Sequence, residues 1–182
     1  MVLNRRCFTL SMLAAAACRT DAEAAAPSPA EPALRDLPSD PPKVEPLLKT
    51  DAEWHALLGI DAYHVLREKG TERAFTGAYH ANHAAGRYRC AACGLTLFSS
   101  DDKFDSGTGW PSFTRPIAPD RIADTADKTY GMVRTEVSCA RCGGHQGHVF
   151  DDGPRPTGLR YCNNGVALRF VPATDELPPL RS

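Results

Sequence analysis

The sequence predicts a mainly β domain with antiparallel strands and short helices at its N-terminal end. Seven short segments between residues 86 and 171 carry β-branched and aromatic residues and are bounded by Gly, Pro, Asn or Asp. No stretch of helical periodicity separates these segments, which favours antiparallel pairing over βαβ units. Two C-x-x-C pairs in the same region indicate a metal site that would tie a long loop.

The two helices are predicted first, because the folded domain is expected to begin near residue 47. Asp51 is a candidate N-cap for the first helix, which Gly59 ends. The second helix is predicted over residues 62–69, before Gly70. Each helix has apolar residues on one face: Trp54, Leu57 and Leu58 in the first, Tyr63 and Leu66 in the second.

The strand segments follow in a row without helices between them. In order they are GRYRC, TLFSS, GWPSFTRPI, RIADTAD, YGMVRTEVSC, GHVFDD and LRYCNNGVALRFV. Residues 173–182, after the last segment, are rich in proline and are expected to form a loose tail.

The first 26 residues have the features of an export signal. Arg5 and Arg6 precede a short apolar stretch, and Ala24–Ala26 provides a small-residue cleavage site. The paired arginines resemble a twin-arginine signal, which predicts export to the periplasm. Two alternatives stay open: an N-terminal helix of a cytosolic protein, and a lipoprotein signal with Cys18 acylated.

Residues 27–46 are predicted to form an extended linker. They contain seven prolines and few large apolar residues, so they bury too little surface to offset their ordering entropy.

The formal net charge of −1 argues against a nucleic-acid binder, which usually has a basic face. No apolar run in the sequence reaches the roughly 18–20 residues of a membrane-spanning helix.

Four paired cysteines are candidate metal ligands: Cys90, Cys93, Cys139 and Cys142. Each C-x-x-C turn directs two thiolates to one point, and a glycine follows each pair. Two such turns supply the four sulfurs that tetrahedral zinc binds at about 2.3 Å. The alternatives are two redox dithiols, or disulfides in an oxidising compartment. We expect one structural zinc ion, with no position open for catalysis.

Cys162 is the only cysteine of the predicted domain outside these pairs. Arg160, Cys162 and Asn164 would share one face of a strand, and a guanidinium beside a sulfur favours the nucleophilic thiolate. The alternative is a buried, inert cysteine. Asn163, on the opposite face, is expected to reach solvent or a polar partner.

Two further stretches carry candidate site residues. His145 and His148 directly follow the second cysteine pair, so a metal there would hold them rigidly. They are alternatively surface residues or additional metal ligands. Trp110 lies in the glycine-containing stretch FDSGTGWPSF and is alternatively a core residue.

Several of these motifs resemble the B-type peptide-methionine sulfoxide reductases. The resemblance rests on CAACG, SGTGWPSF, YGMVRTEV and CARCGGHQGHVFDDGPRPTGLRYCNNG, with FTG upstream, and it extends from about Trp54 to Phe170. It implies a β-tent of two antiparallel sheets with N-terminal helices. It also implies reduction of the R epimer of methionine sulfoxide in oxidised proteins or peptides.

The resemblance also implies roles for individual residues. Cys162 matches the nucleophile, Trp110 the aromatic wall against the substrate methyl group, and Arg160 the arginine near the nucleophile. His145, His148 and Asn164 match polar groups around the sulfoxide oxygen. Cys90, Cys93, Cys139 and Cys142 match the ligands of the structural zinc.

Thr108 departs from the family pattern, because many members have a resolving cysteine at this position. We therefore expect a cycle with one cysteine, in which Cys162 becomes a sulfenic acid and an external thiol or thioredoxin-like partner reduces it. Asn163 also departs, since family members usually have an apolar residue there. We expect the protein to be a monomer.

Two other classes of function remain alternatives from the sequence. A zinc-ribbon module that binds a partner would use the four paired cysteines and leave Cys162 and Trp110 without a task. A Cys–His hydrolase or acyltransferase would use Cys162 and His148 and leave Trp110 and Asn164 without one.

Overall fold

The structure is a computed structural model that describes residues 40–41, 44–131 and 133–182. The predicted export signal, residues 1–26, and the linker up to residue 39 lie outside the described residues. None of the helices in the described part is long and apolar enough to span a membrane.

Two short helices open the domain, as predicted: α1 (Asp51–Leu57) and α2 (Ile60–Glu68). The N-cap of α1 is Thr50 and not Asp51. The Thr50 hydroxyl accepts the Glu53 N–H at 3.3 Å, and the Glu53 carboxylate accepts the Thr50 N–H at 2.7 Å. Because of this reciprocal pair of hydrogen bonds, the helix starts one residue earlier than predicted. The helix α2 also starts two residues before its predicted position.

In the described part of the chain, nine strands form two antiparallel sheets, which confirms the predicted fold class. The strands are β1 (Gly86–Cys90), β2 (Thr96–Ser99), β3 (Lys103–Phe104), β4 (Ser112–Phe113), β5 (Ile122–Asp127), β6 (Arg134–Cys139), β7 (His145–Phe150), β8 (Arg160–Asn163) and β9 (Leu168–Pro172). One sheet has the order β2-β1-β9, and the other has the order β3-β4-β8-β7-β6-β5.

The predicted segments differ most from the observed strands at two places. The predicted segment GWPSFTRPI contributes only the two residues of β4, and LRYCNNGVALRFV divides into β8 and β9 at the 3₁₀ turn Gly165–Ala167. The two-residue strand β3 was not predicted, because a strand of that length has no sequence period.

The hydrophobic core supports β8, which carries Cys162, and its neighbour β4. Phe98 of β2 stacks on Phe113 of β4 with ring centroids 4.4 Å apart, and Tyr161 of β8 lies 6.1 Å from Phe98. Side chains alternate along a strand, so Phe113 and Tyr161 face this core while their neighbours Ser112 and Cys162 face the other side. Aromatic packing therefore fixes the face of the sheet on which the thiol lies.

The ordered domain begins before residue 47, so the predicted domain start is corrected. The Asp40 carboxylate accepts hydrogen bonds from the Arg89 guanidinium at 3.2 Å and from the Thr96 N–H, and the Asp40 and Arg89 side chains are both buried. Val44 and Leu47 pack against the core. The last part of the predicted linker therefore belongs to the folded unit.

The C-terminal residues, expected to be loose, lie against the first cysteine pair. The Arg181 N–H donates to the carbonyl of Cys93 at 3.0 Å, and the Arg181 guanidinium donates to the carbonyl of Ala91 at 3.1 Å. The carbonyl of Pro178 accepts from Arg89 at 2.7 Å. Both chain extensions thus meet at Arg89, next to Cys90.

We expect Arg181→Ala to lower the free energy of unfolding by about 1–3 kcal/mol, because hydrogen bonds to charged groups contribute about that much. Urea denaturation measures the change. Arg169→Ala is the matched control, since Arg169 is exposed and its positive charge repels that of Arg181. The control should keep or slightly raise stability. Equal destabilisation by both substitutions contradicts the specific role of Arg181.

Candidate active site and metal centre

The four paired cysteines form one buried cluster that could hold a metal ion. Their sulfur atoms all lie within 4.8 Å of one another. The Sγ atoms of Cys90 and Cys142 are 3.7 Å apart, and those of Cys93 and Cys139 are 3.5 Å apart. A tetrahedron with metal–sulfur bonds of about 2.3 Å has edges of roughly 3.8 Å, so the donor set fits. The four cysteines are free thiols in this structure, since the two distances exceed the about 2.05 Å of a disulfide bond.

Local backbone geometry and nearby cations support this cluster. Gly94 and Gly143, which follow the two cysteine pairs, have φ angles of +80° and +67°, where glycine is favoured. The Arg141 guanidinium donates to the carbonyl of Cys93 at 3.1 Å, and the Arg67 guanidinium donates to the carbonyl of Cys142 at 2.9 Å. These cations, with Arg181, lie where four thiolates would concentrate negative charge.

The register of the larger sheet places Cys162 between two polar residues. Cys162 of β8 pairs with Ser112 of β4 on one side and with His148 of β7 on the other. A Cβ atom on Gly147 would lie 1.9 Å from the carbonyl oxygen of Cys162, so β7 and β8 pair this closely only with glycine at position 147. The histidine and the thiol are therefore neighbours on one face of the sheet.

A cavity of about 240 Å³ opens above Cys162. Its lining residues are Thr71, Trp110, Arg134, Gly147, His148, Phe150, Cys162, Asn163 and Asn164. Four of the six residues predicted for catalysis and substrate binding are thus brought together: Cys162, Trp110, His148 and Asn164. The volume is below the roughly 300–1,000 Å³ of pockets for drug-sized ligands and suits a single side chain.

Arg160 and His145, also predicted as substrate-binding residues, do not line this cavity. The Arg160 guanidinium binds the Asp152 carboxylate through two hydrogen bonds of 2.8 Å and lies 4.4 Å from the centre of the Phe150 ring. His145 is buried and its Nδ1 lies 2.8 Å from Glu136, whose carboxylate also accepts from Lys69. Burial lowers the pKa of His145, although Glu136 opposes this effect.

His148 is held by a carboxylate that the sequence did not reveal. Its Nε2 lies 2.8 Å from the Asp127 carboxylate at the end of β5. Thr129, His148 and Arg134 all donate to Asp127 and hold the pKa of that carboxyl well below its usual range. Because an ionised carboxylate can only accept, Nε2 of His148 carries a proton and donates it to Asp127, which leaves Nδ1 as the ring nitrogen that could accept a proton.

Trp110 and Asn164 both bind the main chain of Glu72. The indole Nε1–H of Trp110 donates to the Glu72 carbonyl at 3.1 Å. The Asn164 Oδ1 accepts the Glu72 N–H at 2.9 Å, and its Nδ2 donates to the carbonyl of Gln146 at 3.0 Å. Two walls of the cavity are therefore attached to the segment that follows α2.

The Cys162 thiol is partly buried, and burial raises its pKa. The Arg160 guanidinium and the hydroxyls of Thr108 and Ser112 oppose the shift, but burial outweighs them. The Ser106 hydroxyl lies 2.8 Å from each of these two hydroxyls. Arg160 favours the thiolate, as expected, but burial has the larger effect and raises the pKa of the Cys162 thiol.

Of the two expectations for Asn163, solvent or a polar partner, the structure shows the polar partner. It is 1% exposed, and its Nδ2 donates to the carbonyl of Tyr161 at 3.0 Å. Its Oδ1 is buried and has no hydrogen-bond partner among the described residues.

Three carboxylates that hold the site were not predicted from the sequence: Glu72, Asp127 and Asp152. Asp152, the second acid of FDDG, precedes Arg160 by eight residues, and this spacing could have suggested an ion pair. Asp127 and Glu72 gave no such signal, because strand pairing across β5–β6–β7 and main-chain contacts bring them to the site.

A thiol beneath an aromatic wall, with a carboxylate-bound histidine alongside, is an arrangement typical of enzymes that use a cysteine nucleophile. A family model described as the SelR domain matches residues 58–172. A relative from Thiobacillus denitrificans named "Peptide methionine sulfoxide reductase MsrB" is 60% identical over 124 residues, which is 68% of this chain and 94% of that protein.

Relatives of the same name occur in other bacteria. The Agrobacterium fabrum protein is 55% identical over 139 residues, covering 76% of this chain and 99% of its own length. The Leptospira interrogans protein is 55% identical over 122 residues, covering 67% and 93% respectively. The chain belongs to the B-type peptide methionine sulfoxide reductase family and is an oxidoreductase.

We expect alkylation of Cys162 by iodoacetamide to accelerate with pH around a midpoint above that of the peptide RYCNNG, because a raised pKa leaves less thiolate at neutral pH. Mass spectrometry of the Cys162 peptide gives the rate at each pH. Arg160→Met should raise the midpoint further, since the guanidinium no longer opposes burial. Arg169→Met should leave it unchanged. A midpoint below that of the peptide contradicts the dominance of burial.

Proposed function

We propose that the protein reduces the R epimer of peptide-bound methionine sulfoxide to methionine, with Cys162 as the nucleophile. The observation that carries the proposal is the cavity of side-chain size that joins the Cys162 thiol, the Trp110 indole and His148. Family membership supports the same reaction, because the relatives named above are peptide methionine sulfoxide reductases.

In the first half-reaction, the Cys162 sulfur attacks the sulfoxide sulfur and forms a transient bond to it. The oxygen then moves to the Cys162 sulfur, as this sulfur–sulfur bond and the sulfur–oxygen bond of the substrate break. Oxygen and the thiol proton end on Cys162 as a sulfenic acid, and methionine leaves, so Cys162 is oxidised by two electrons and the substrate is reduced by two. His148 faces Cys162 across the strand pair, and its Nδ1 lone pair can accept the thiol proton and return it to the oxygen. A protonated oxygen makes the sulfoxide sulfur a better electrophile.

Selection of one epimer follows from two walls of unlike chemistry. The Trp110 ring offers an apolar face to the S-methyl group, while His148 and Asn164 offer polar groups to the oxygen. If the S-methyl group of the substrate is fixed on Trp110 and its side chain is fixed by the peptide, the chirality at sulfur decides whether the oxygen points to the polar wall. We assign the R epimer on the family resemblance.

Regeneration of the thiol requires an external reductant in this proposal. Among the described residues, the other cysteines are the four of the metal cluster, and Thr108 stands beside Cys162. An external thiol attacks the sulfenic acid and releases water, which leaves a mixed disulfide. A second thiol then restores Cys162 and leaves the reductant as a disulfide. A thioredoxin-like protein has the required pair of thiols.

We propose that the four-cysteine cluster holds zinc and that the protein works as a monomer. Zinc with four sulfur ligands has no open position, so when bound it would supply a cross-link and no reaction step. On residues 1–26 alone we also propose export to the periplasm, with lipid anchoring through Cys18 as the alternative.

Cys162→Ser should reduce turnover of a peptide containing methionine R-sulfoxide, with dithiothreitol as reductant, by about 1,000-fold or more, since the nucleophile is removed. Chromatographic detection of the reduced peptide measures this. An unchanged melting temperature confirms that the variant is folded. Turnover that survives the substitution refutes the proposal, and ester or amide cleavage without reduction favours a hydrolase.

Thr108→Cys should create an internal resolving cysteine, because the Thr108 hydroxyl lies within hydrogen-bonding reach of the Cys162 thiol. After one turnover without reductant, mass spectrometry should find residues 108 and 162 joined by a disulfide. The Ser106→Cys variant tests whether position 108 is specific. Sulfenic or over-oxidised Cys162 alone in the first variant contradicts the expected geometry.

A further inference from the structure

The segment between α2 and β1 binds both walls of the substrate cavity through a single residue, Glu72. Its carbonyl accepts the Trp110 indole N–H at 3.1 Å, and its N–H donates to the Asn164 side chain at 2.9 Å. An indole has only one N–H, in the plane of the ring, so this bond fixes the direction of the Trp110 ring. The two bonds together fix the relative position of the apolar and polar walls.

The side chain of Glu72 holds the same region a second time. Its carboxylate accepts the N–H of Gly165 at 2.6 Å and the N–H of Val166 at 2.9 Å. These two residues directly follow Asn164 and start the 3₁₀ turn Gly165–Ala167. Glu72 therefore binds Asn164 through the Asn164 side chain and through the next two main-chain amides, which leaves the asparagine little freedom to move.

Neighbouring residues leave room for this carboxylate and strengthen the attachment. A Cβ atom on Gly77 would lie 2.4 Å from Oε1 of Glu72. The glycine of the FTG motif therefore leaves room for this carboxylate. The N–H of Phe75 donates to the carbonyl of Gly109, beside Trp110, at 2.9 Å. The segment 71–77 is thus attached to the Trp110 turn at two points and to the residues after β8 at three.

We propose that Glu72 is the positioning residue of the substrate cavity: it sets the separation and orientation of Trp110 and Asn164, and thereby the discrimination between sulfoxide epimers. The inference rests on the proposed function only for the identity of the substrate. Glu72 does not line the cavity beside the thiol and acts through the two residues that do.

The chemistry of the carboxylate predicts a graded series of substitutions. Glu72→Gln can accept one of the two amides with its carbonyl oxygen but places an NH₂ group against the other, so it loses part of the attachment. Glu72→Ala leaves both amides without a partner. Gly77→Ala keeps the carboxylate but displaces it. Glu68→Gln is the control, since Glu68 is an exposed glutamate that binds His64 on α2.

The test measures kcat and KM for peptides with the R and the S sulfoxide, well below the melting temperature of each variant. We expect Glu72→Gln and Gly77→Ala to raise KM and to lower the ratio of kcat/KM for the R peptide to kcat/KM for the S peptide. Glu72→Ala should lower kcat/KM for the R epimer by about 10- to 100-fold. Glu68→Gln should match the parent. If the melting temperature falls while KM and the epimer ratio stay unchanged, Glu72 is only structural and the proposal fails.

A second measurement needs no turnover, so it separates this inference from the proposed function. In a Trp54→Phe background Trp110 is the only tryptophan, because the chain has two. Glu72→Ala should shift the Trp110 emission to the red and increase quenching by acrylamide. A shifted emission in a protein that reduces neither epimer supports the positioning role and refutes the function. Unchanged emission and quenching refute the positioning role.

Discussion

The close pairing of β7 with β8 at Gly147 is the contact on which the site depends. Any side chain at this position would meet the Cys162 carbonyl, so only glycine lets His148 lie directly opposite Cys162. The other neighbour of the thiol, Ser112, comes from β4 in the same rung of the sheet. The histidine is in turn fixed by Asp127 from β5. Reactive groups from four strands therefore keep their places through sheet register.

The cysteine cluster links the two sheets that this register requires. Cys90 ends β1 of the three-stranded sheet, and Cys139 ends β6 of the six-stranded sheet. Their sulfurs meet in one cluster, so a bound metal would join the sheets far more strongly than packing alone. Both chain extensions cover the same place, Asp40 and Pro178 at Arg89, and Arg181 at the first cysteine pair.

Local patterns could be predicted from the sequence, and contacts between distant segments could not. The C-x-x-C pairs, the β class and the thiol beside Arg160 follow from spacing and side-chain alternation. Asp40 and Arg181 are bound although their segments are rich in proline, because a few ionic and hydrogen-bonded contacts replace the apolar burial that composition measures. Glu72 gave no signal, since two of its contacts are made by main-chain atoms that every residue has.

The proposed reaction requires a methionine sulfoxide side chain to enter the cavity above Cys162 with its methyl group on Trp110. A crystal structure of the Cys162→Ser protein with a peptide containing methionine R-sulfoxide tests this most directly. We expect the S-methyl group against the indole and the oxygen on the side of His148 and Asn164. A second cavity, of about 610 Å³, lies beside α2. A substrate side chain bound there, or an oxygen pointing at the indole, would contradict the proposed reaction.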